Sequence, residues 1–190
     1  MAKEVIKEIK DDYKKYEILL KERKSIFESV IEVNAIGNDV NTLEEKINVT
    51  HNNVDSKIEL IVNVKVNNHN FFQFKLRCKD YTKVPFFRYD SDGEAHRNYD
   101  DEIPLKLQSV NTPHFHYYNE KGVNIAYKTK EMEDPGSMRA LEDIAICITH
   151  YFHEANIRVE PENFPTITIS TKSLGLDFTE VDPNSNINFI

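Results

Sequence analysis

Cysteine is scarce in this 190-residue chain: Cys78 and Cys147 are widely separated and form no C-x-x-C spacing. That excludes a disulfide framework or a zinc knuckle and predicts two reduced core thiols. Apolar runs are short as well. The N-terminal M-A-K-E-V-I-K-E-I-K carries charge throughout, so neither a signal peptide nor a membrane span is indicated, and a soluble cytoplasmic protein with no membrane partner is expected. Positive charge is in deficit, with 24 Lys and Arg against 32 Asp and Glu and a net charge of -8. Phosphate binding relies on cations displacing counterions, so passive whole-surface binding of nucleic acid is excluded and only a local basic cleft could hold a polyanion. Repeats and low-complexity tracts are missing too.

What the chain does hold is aromatic bulk: eleven Phe and nine Tyr, enough for the core of a single domain. From about Ala2 to Lys24, Val5, Ile9, Tyr13, Tyr16 and Leu20 recur at spacings of three and four. This predicts an amphipathic helix packed on the domain or on a second copy of the chain. Ser25 to Asn53 fits a helical extension or, through V-I-E-V-N-A-I-G, a strand ending at Gly37, and the strand is preferred. Alternation over Lys57 to Val66 and Phe72 to Cys78 predicts a long antiparallel hairpin around Asn67-Asn68. A further strand is expected at F-F-R-Y-D after Pro85, then an ordered loop from Asp90 to Gln108. His114 to Tyr118 and Val123 to Lys128 read as a second hairpin, turning at Asn119-Glu120-Lys121-Gly122. Ser137 can cap a helix to about Ala155, buried through Leu141, Ile144, Ala145, Ile148, Phe152 and Ala155, and T-I-T-I-S can add an edge strand.

The expected fold is therefore α+β over residues 1–158: an antiparallel sheet of five to six strands, an N-terminal helix at 1–24 and a C-terminal helix at 137–155 packed on one face. The sheet and candidate site fall in 57–128. Residues 159–190 read as an acidic extension, where Glu160, Glu162, Asp177, Glu180 and Asp182 face only Arg158 and Lys172.

Chemistry-bearing residues concentrate between Arg88 and Lys128. Residues two apart on a strand share a face, so Arg88 goes with Asp90, and His114 with His116 and Tyr118. If the two strands are neighbours these side chains converge, and His96 and Asn98 can fold over them from the intervening loop. Three readings fit. In metal-free phosphodiester cleavage, His114 and His116 are the acid/base pair, His96 assists and Arg88 holds phosphate, because imidazole titrates near neutral pH and guanidinium matches phosphate oxygens. That chemistry needs no cofactor. Alternatively the His-x-His strand holds a divalent metal, with His96 or Asp90 as third ligand beside His114 and His116. In the third reading the group is a hydrogen-bonded network without a reaction. His150 and His153 lie away from the helix's buried stripe at 100° per residue and are expected to be exposed polar residues.

F-R-Y-D-S-D-G-E-A-H-R-N-Y-D and P-H-F-H-Y-Y-N-E-K-G-V-N-I-A-Y-K, within a span of about Phe72 to Ile157, resemble a family of small uncharacterised bacterial and phage-encoded proteins. The outline is also similar to the TumE-type toxins of toxin–antitoxin pairs. The resemblance matches Arg88, Asp90, His96, Asn98, Asp100, His114, His116 and Tyr118, and implies binding roles for Asp90, Asn98, Asp100 and Tyr118. The function expected is that of a ribonuclease-like toxin or antiviral defence protein acting on RNA or a nucleotide phosphodiester. The alternative is a non-enzymatic phage or bacterial interaction protein that inhibits a host defence component through its acidic surface.

Overall fold

A computed structural model describes residues 4–37, 39–99, 103–160 and 165–170. The chain begins with helices α1 (Lys7–Asp11) and α2 (Tyr13–Lys21). Strands β1 (Lys24–Ile26), β2 (Val30–Val33), β3 (Ala35–Ile36), β4 (Thr42–His51), β5 (Ile58–Lys65), β6 (Asn68–Cys78) and β7 (Phe87–Asp90) follow. A covering loop then holds β8 (His96–Arg97), a helical turn at Leu105–Leu107 and β9 (Ser109–Val110). The hairpin of β10 (His114–Tyr118) and β11 (Asn124–Tyr127) precedes helices α3 (Lys130–Glu133), α4 (Pro135–Ala140) and α5 (Ile144–Glu154), and strands β12 (Ile157–Val159) and β13 (Thr166–Ile169) come last.

Among the described residues the main sheet has nine strands, not the five to six expected. Its order is β11-β10-β7-β6-β5-β4-β1-β12, with β3 also on β4, and every pairing is antiparallel except β1 with β12. The strands beyond those expected are β1 and β12, of three residues each and too short for alternation to show, and the ten-residue β4, which lies past the Gly37 end expected for the strand in this region. β13 pairs in parallel with β2 in a separate ribbon, so the segment just beyond Val159 joins the folded body. Residues 171–190, the bulk of the acidic extension, lie outside the described residues.

Strand alternation divides the sheet into two unlike faces. Ile58, Leu60, Val62 and Val64 of β5 stand beside Cys78, Leu76, Phe74 and Phe72 of β6, and all eight are buried. α5 covers this face, with its Tyr151 ring 5.4 Å from Phe87 and 5.2 Å from Phe74. On the opposite face, two adjacent rungs run across the strands. One carries Glu44, Asn63, Gln73, Asp90 and His114; the next carries Lys46, Ile61, Lys75, Arg88, His116 and Ala126.

Both expected helices are interrupted by an aspartate that caps a second segment. Asp12 breaks the N-terminal helix at φ -134° and accepts a bond from Lys15 N at 3.1 Å to start α2. At the other end Asp134, not Ser137, caps α4, by accepting from Ser137 N at 2.8 Å, and Asp143 restarts the chain as α5. The β5–β6 turn falls at Val66-Asn67, one residue earlier than expected, beside a register irregularity at Val64/Lys65. Gly122 closes the β10–β11 turn at φ 71°, where a side chain would meet the Ile6 carbonyl at 2.5 Å.

The carboxyl end of α2 shows how the N-terminal helices are fixed to the sheet. A helix leaves its last carbonyls without partners, and here neighbouring elements supply them. Lys24 Nζ, fully buried, donates to the carbonyls of Leu19 (2.8 Å), Leu20 (3.0 Å) and Glu22 (2.7 Å). His51 Nε2 donates to Ile18 O at 3.1 Å, and Asn156 Nδ2 to Lys21 O at 2.9 Å. Burial lowers the Lys24 pKa to about 7, and the three carbonyl acceptors match the hydrogens of its ammonium form, which also complements the helix dipole. Replacing Lys24 with Met keeps the stem but strands three acceptors, so urea unfolding should show a loss of roughly 1–3 kcal/mol. A Lys24→Met variant as stable as the parent would refute that account.

Candidate functional site

β7 and β10 are neighbours, with Asp90 opposite His114 and Arg88 opposite His116. The four side chains converge on the polar face, as strand parity predicts. Arg88 Nη2 lies 2.9 Å from His116 Nε2 and 3.0 Å from Asp90 Oδ2, and these two acceptors are themselves 3.0 Å apart. His114 Nε2 stands 3.7 Å from the same carboxylate oxygen, and the His114 and His116 rings meet edge-on with centroids 4.5 Å apart. Asp90, His114 and His116 are all buried; the Arg88 side chain, 31% exposed, is the part of the cluster that faces solvent.

Hydrogen-bond partners assign the protons. His116 Nδ1 is 2.9 Å from Asn124 Oδ1, an acceptor, so Nδ1 carries the hydrogen and Nε2 keeps its lone pair for Arg88. The two hydrogens on Arg88 Nη2 can serve His116 and Asp90 together. Burial pushes the His116 pKa below its usual value, reinforced by the Arg88 charge, although Asp90 and Asn124 pull the other way. Asp90 moves in the opposite direction from the one burial dictates. The bond from His114, that from His116 once its Nε2 is protonated, and the Arg88 charge outweigh desolvation and hold its carboxyl well below the usual range. Three buried atoms of the cluster have no hydrogen-bond partner: Arg88 Nε, Asp90 Oδ1 and His114 Nδ1.

The covering loop brings His96 to the cluster's rim, its ring 4.8 Å from His116 and perpendicular to it. His96 Nε2 lies 3.3 Å from the Asn124 carbonyl and so carries the hydrogen; burial and the His116 charge push its pKa down to about 4. Asn98 does not join the cluster. Its amide receives Ala126 N–H at 2.7 Å and donates to Ala126 O at 2.9 Å, clamping the loop to the outer side of edge strand β11. Asp100 lies outside the described residues.

Tyr118 shares the face and, with Arg88, His116 and Asn124, lines a cleft of about 180 Å³ closed by Glu4, Ile6, Val84 and Pro85. Burial raises the Tyr118 pKa, so the phenol stays protonated, and Asn124 bonds to it. Asn124 is thus the residue that inspection of the sequence passed over. It orients His116 through Oδ1, touches Tyr118, and gives its carbonyl to His96. Only its place opposite Tyr118 in the hairpin could have indicated it.

Tyr16 bridges β7 and β10 next to the cleft residue Tyr118. Continuing the β7–β10 register beyond Arg88 and His116 would bring Phe86 opposite Tyr118. Instead, the fully buried Tyr16 hydroxyl accepts from Tyr118 N–H at 2.7 Å and donates to Phe86 O at 3.1 Å, so it stands in the ladder between the strands.

Other histidines stand apart. His150 is half-buried rather than exposed: its Nε2 is 3.0 Å from Thr129 Oγ1 and its ring contacts Phe115. His153 is exposed, as expected. A wider groove of about 560 Å³ beside α4 and α5 is mostly apolar and includes both residues.

Together these features define an α+β protein with a buried Arg–Asp–His network at one end of an antiparallel sheet. The chain belongs to the family of unknown function DUF6978, whose model matches residues 12–157 and so takes in α2, the site strands β7, β10 and β11, the covering loop and α5. No curated protein matches the chain, and no solved structure does. Among the described residues, no helix is long and apolar enough to cross a membrane.

The Asn98 clamp makes a direct prediction. Asn98→Leu should raise the exchange rate of the Ala126 amide at least several-fold, because its acceptor is gone, while amides in the centre of β5 keep their protection. Unchanged exchange at Ala126 would show that the loop is held by something else.

Proposed function

We propose that this protein acts on a phosphodiester of RNA or a nucleotide through metal-independent acid/base chemistry. The supporting observation is that one Arg88 nitrogen holds both the His116 Nε2 lone pair and Asp90 Oδ2 beside a solvent-reaching cleft. An arriving phosphate competes for the guanidinium with a fork-like pair of acceptors. As Arg88 turns to the phosphate, Nε2 is released to act as a base on a ribose 2′-hydroxyl. The proton then sits on Nε2, 3.0 Å from Asp90 Oδ2, whose negative charge stabilises the imidazolium. Asn124 keeps the ring in place through Nδ1.

The acid in this reading is Tyr118, since it lines the cleft with Arg88 and His116, whereas His114 does not and serves to support Asp90. The cleft of about 180 Å³ is smaller than the ~300–1,000 Å³ that encloses a whole small ligand, so the reacting phosphate and its ribose enter and the remaining chain stays outside. Arg88 supplies the local positive charge that a net charge of -8 otherwise denies a polyanion. RNA as substrate fits the toxin or defence role implied by the R-x-D and P-H-x-H resemblance. The interaction reading depends on the acidic surface and the extension 159–190, of which 161–164 and 171–190 lie outside the described residues.

Labelled RNA incubated with the protein in EDTA should be cleaved. His116→Ala and Arg88→Ala should each lower the rate by roughly 100- to 10,000-fold, and Tyr118→Phe should slow it as well. Cleavage by His116→Ala at the parent rate would remove this mechanism.

A further inference from the structure

We infer that the same cluster can bind one divalent transition cation of the zinc class, held by Asp90, His114 and His116, and admitted only when Arg88 moves out. One donor atom from each of the three residues lies within 4.8 Å of the others. A four-coordinate ion with bonds near 2.0–2.1 Å separates its ligands by about 3.3 Å. Asp90 Oδ2 is 3.0 Å from His116 Nε2 and 3.7 Å from His114 Nε2, which brackets that spacing. Two imidazole nitrogens with a carboxylate suit zinc-class ions; calcium and magnesium prefer oxygen alone.

His116 is also in the state a metal requires. Asn124 keeps the His116 hydrogen on Nδ1, which leaves Nε2 as a free donor and supplies the supporting bond that metal-binding histidines characteristically make. Independently, two of the three ligands carry buried polar atoms with no partner, Asp90 Oδ1 and His114 Nδ1. Unpaired buried polar atoms are costly, and an ion gripped through both carboxylate oxygens would engage Oδ1.

Arg88 occupies the position where the ion would sit, with Nη2 2.9 and 3.0 Å from two of the donors. A guanidinium and a metal ion cannot share those lone pairs, so the two states are mutually exclusive. His96 takes no part as a ligand. Only Asp90, His114 and His116 bring donor atoms within 4.8 Å of one another among the described residues, so of the two third ligands the sequence offers, His96 or Asp90, it is Asp90 that completes the set. Binding the cation also removes the lone pair that acts as base in the proposed reaction. That inhibitory consequence rests on the proposed function; the binding itself does not.

The test is a titration of the full, chelator-stripped chain with zinc alone, in competition with a chromophoric chelator. One ion per chain should bind. Asp90→Asn and His116→Ala should each weaken binding by at least roughly 10- to 100-fold, and His153→Ala should change nothing. Arg88→Gln should tighten binding, a gain that misfolding cannot produce. The inference is overturned by no stoichiometric uptake, by uptake indifferent to Asp90→Asn and His116→Ala, or by weaker binding in Arg88→Gln. Zinc should also inhibit RNA cleavage by the parent protein. If zinc binds as described and cleavage is absent or zinc-insensitive, the cation site stands and the phosphodiester mechanism at His116 fails.

Discussion

Asp90 is an ionised carboxylate with only 6% of its surface exposed, and the site around it follows from that burden. A buried charge is tolerated only with close compensation. Arg88 provides it from two residues earlier on the same strand, while His114 and His116 line the carboxylate from the strand alongside and add to it when protonated. The requirement also ties down the register. Slipping β7 by one residue would put Asp90 among Phe74, Phe115 and Tyr151 and bring Tyr89 to the polar side. The hydrophobic effect and the electrostatics of one carboxylate therefore select the same alignment, and neither could be satisfied without the other.

The two faces of the sheet divide the labour accordingly. The face under α5 is built of stacked rings, among them Phe74, Phe87, Phe115 and Tyr151, and gives the strands a rigid backing. The other face can then hold polar groups in fixed positions at the end of the sheet where the edge strand lies. An exposed edge invites pairing with other chains, and here the His96 and Asn98 side chains occupy part of it. The H-x-N loop thus has an architectural purpose whether or not His96 takes part in chemistry.

Much of this was legible in the sequence, for a definable reason. Long strands announce themselves by alternation, so β5, β6, β7, β10 and β11 and the shared face of Arg88, Asp90, His114, His116 and Tyr118 could be read from spacing alone. Three-residue strands such as β1 and β12 have no period to read, and in the ten-residue β4 the charged run Glu44-Glu45-Lys46 interrupts the alternation, so the sheet is larger than expected. The helix breaks at Asp12 and Asp143 were hidden because an apolar stripe persists across them, and capping depends on a local bond that periodicity does not report. Asn98 and Asn124 went the other way: their residue type suggested binding in one case and nothing in the other. Their true partners, Ala126 and His116, were fixed only when the hairpin and loop came together.

Tyr16 looked like one more apolar position on the N-terminal helix, yet its hydroxyl forces β7 and β10 apart where they would otherwise close by another rung. It works as a spacer one oxygen thick. The separation of β7 from β10 beside the cleft is consequently bridged from α2, by an atom that is not part of the cleft lining. The seating of α2 and the spacing of the two site strands are therefore one and the same constraint, met through a single hydroxyl.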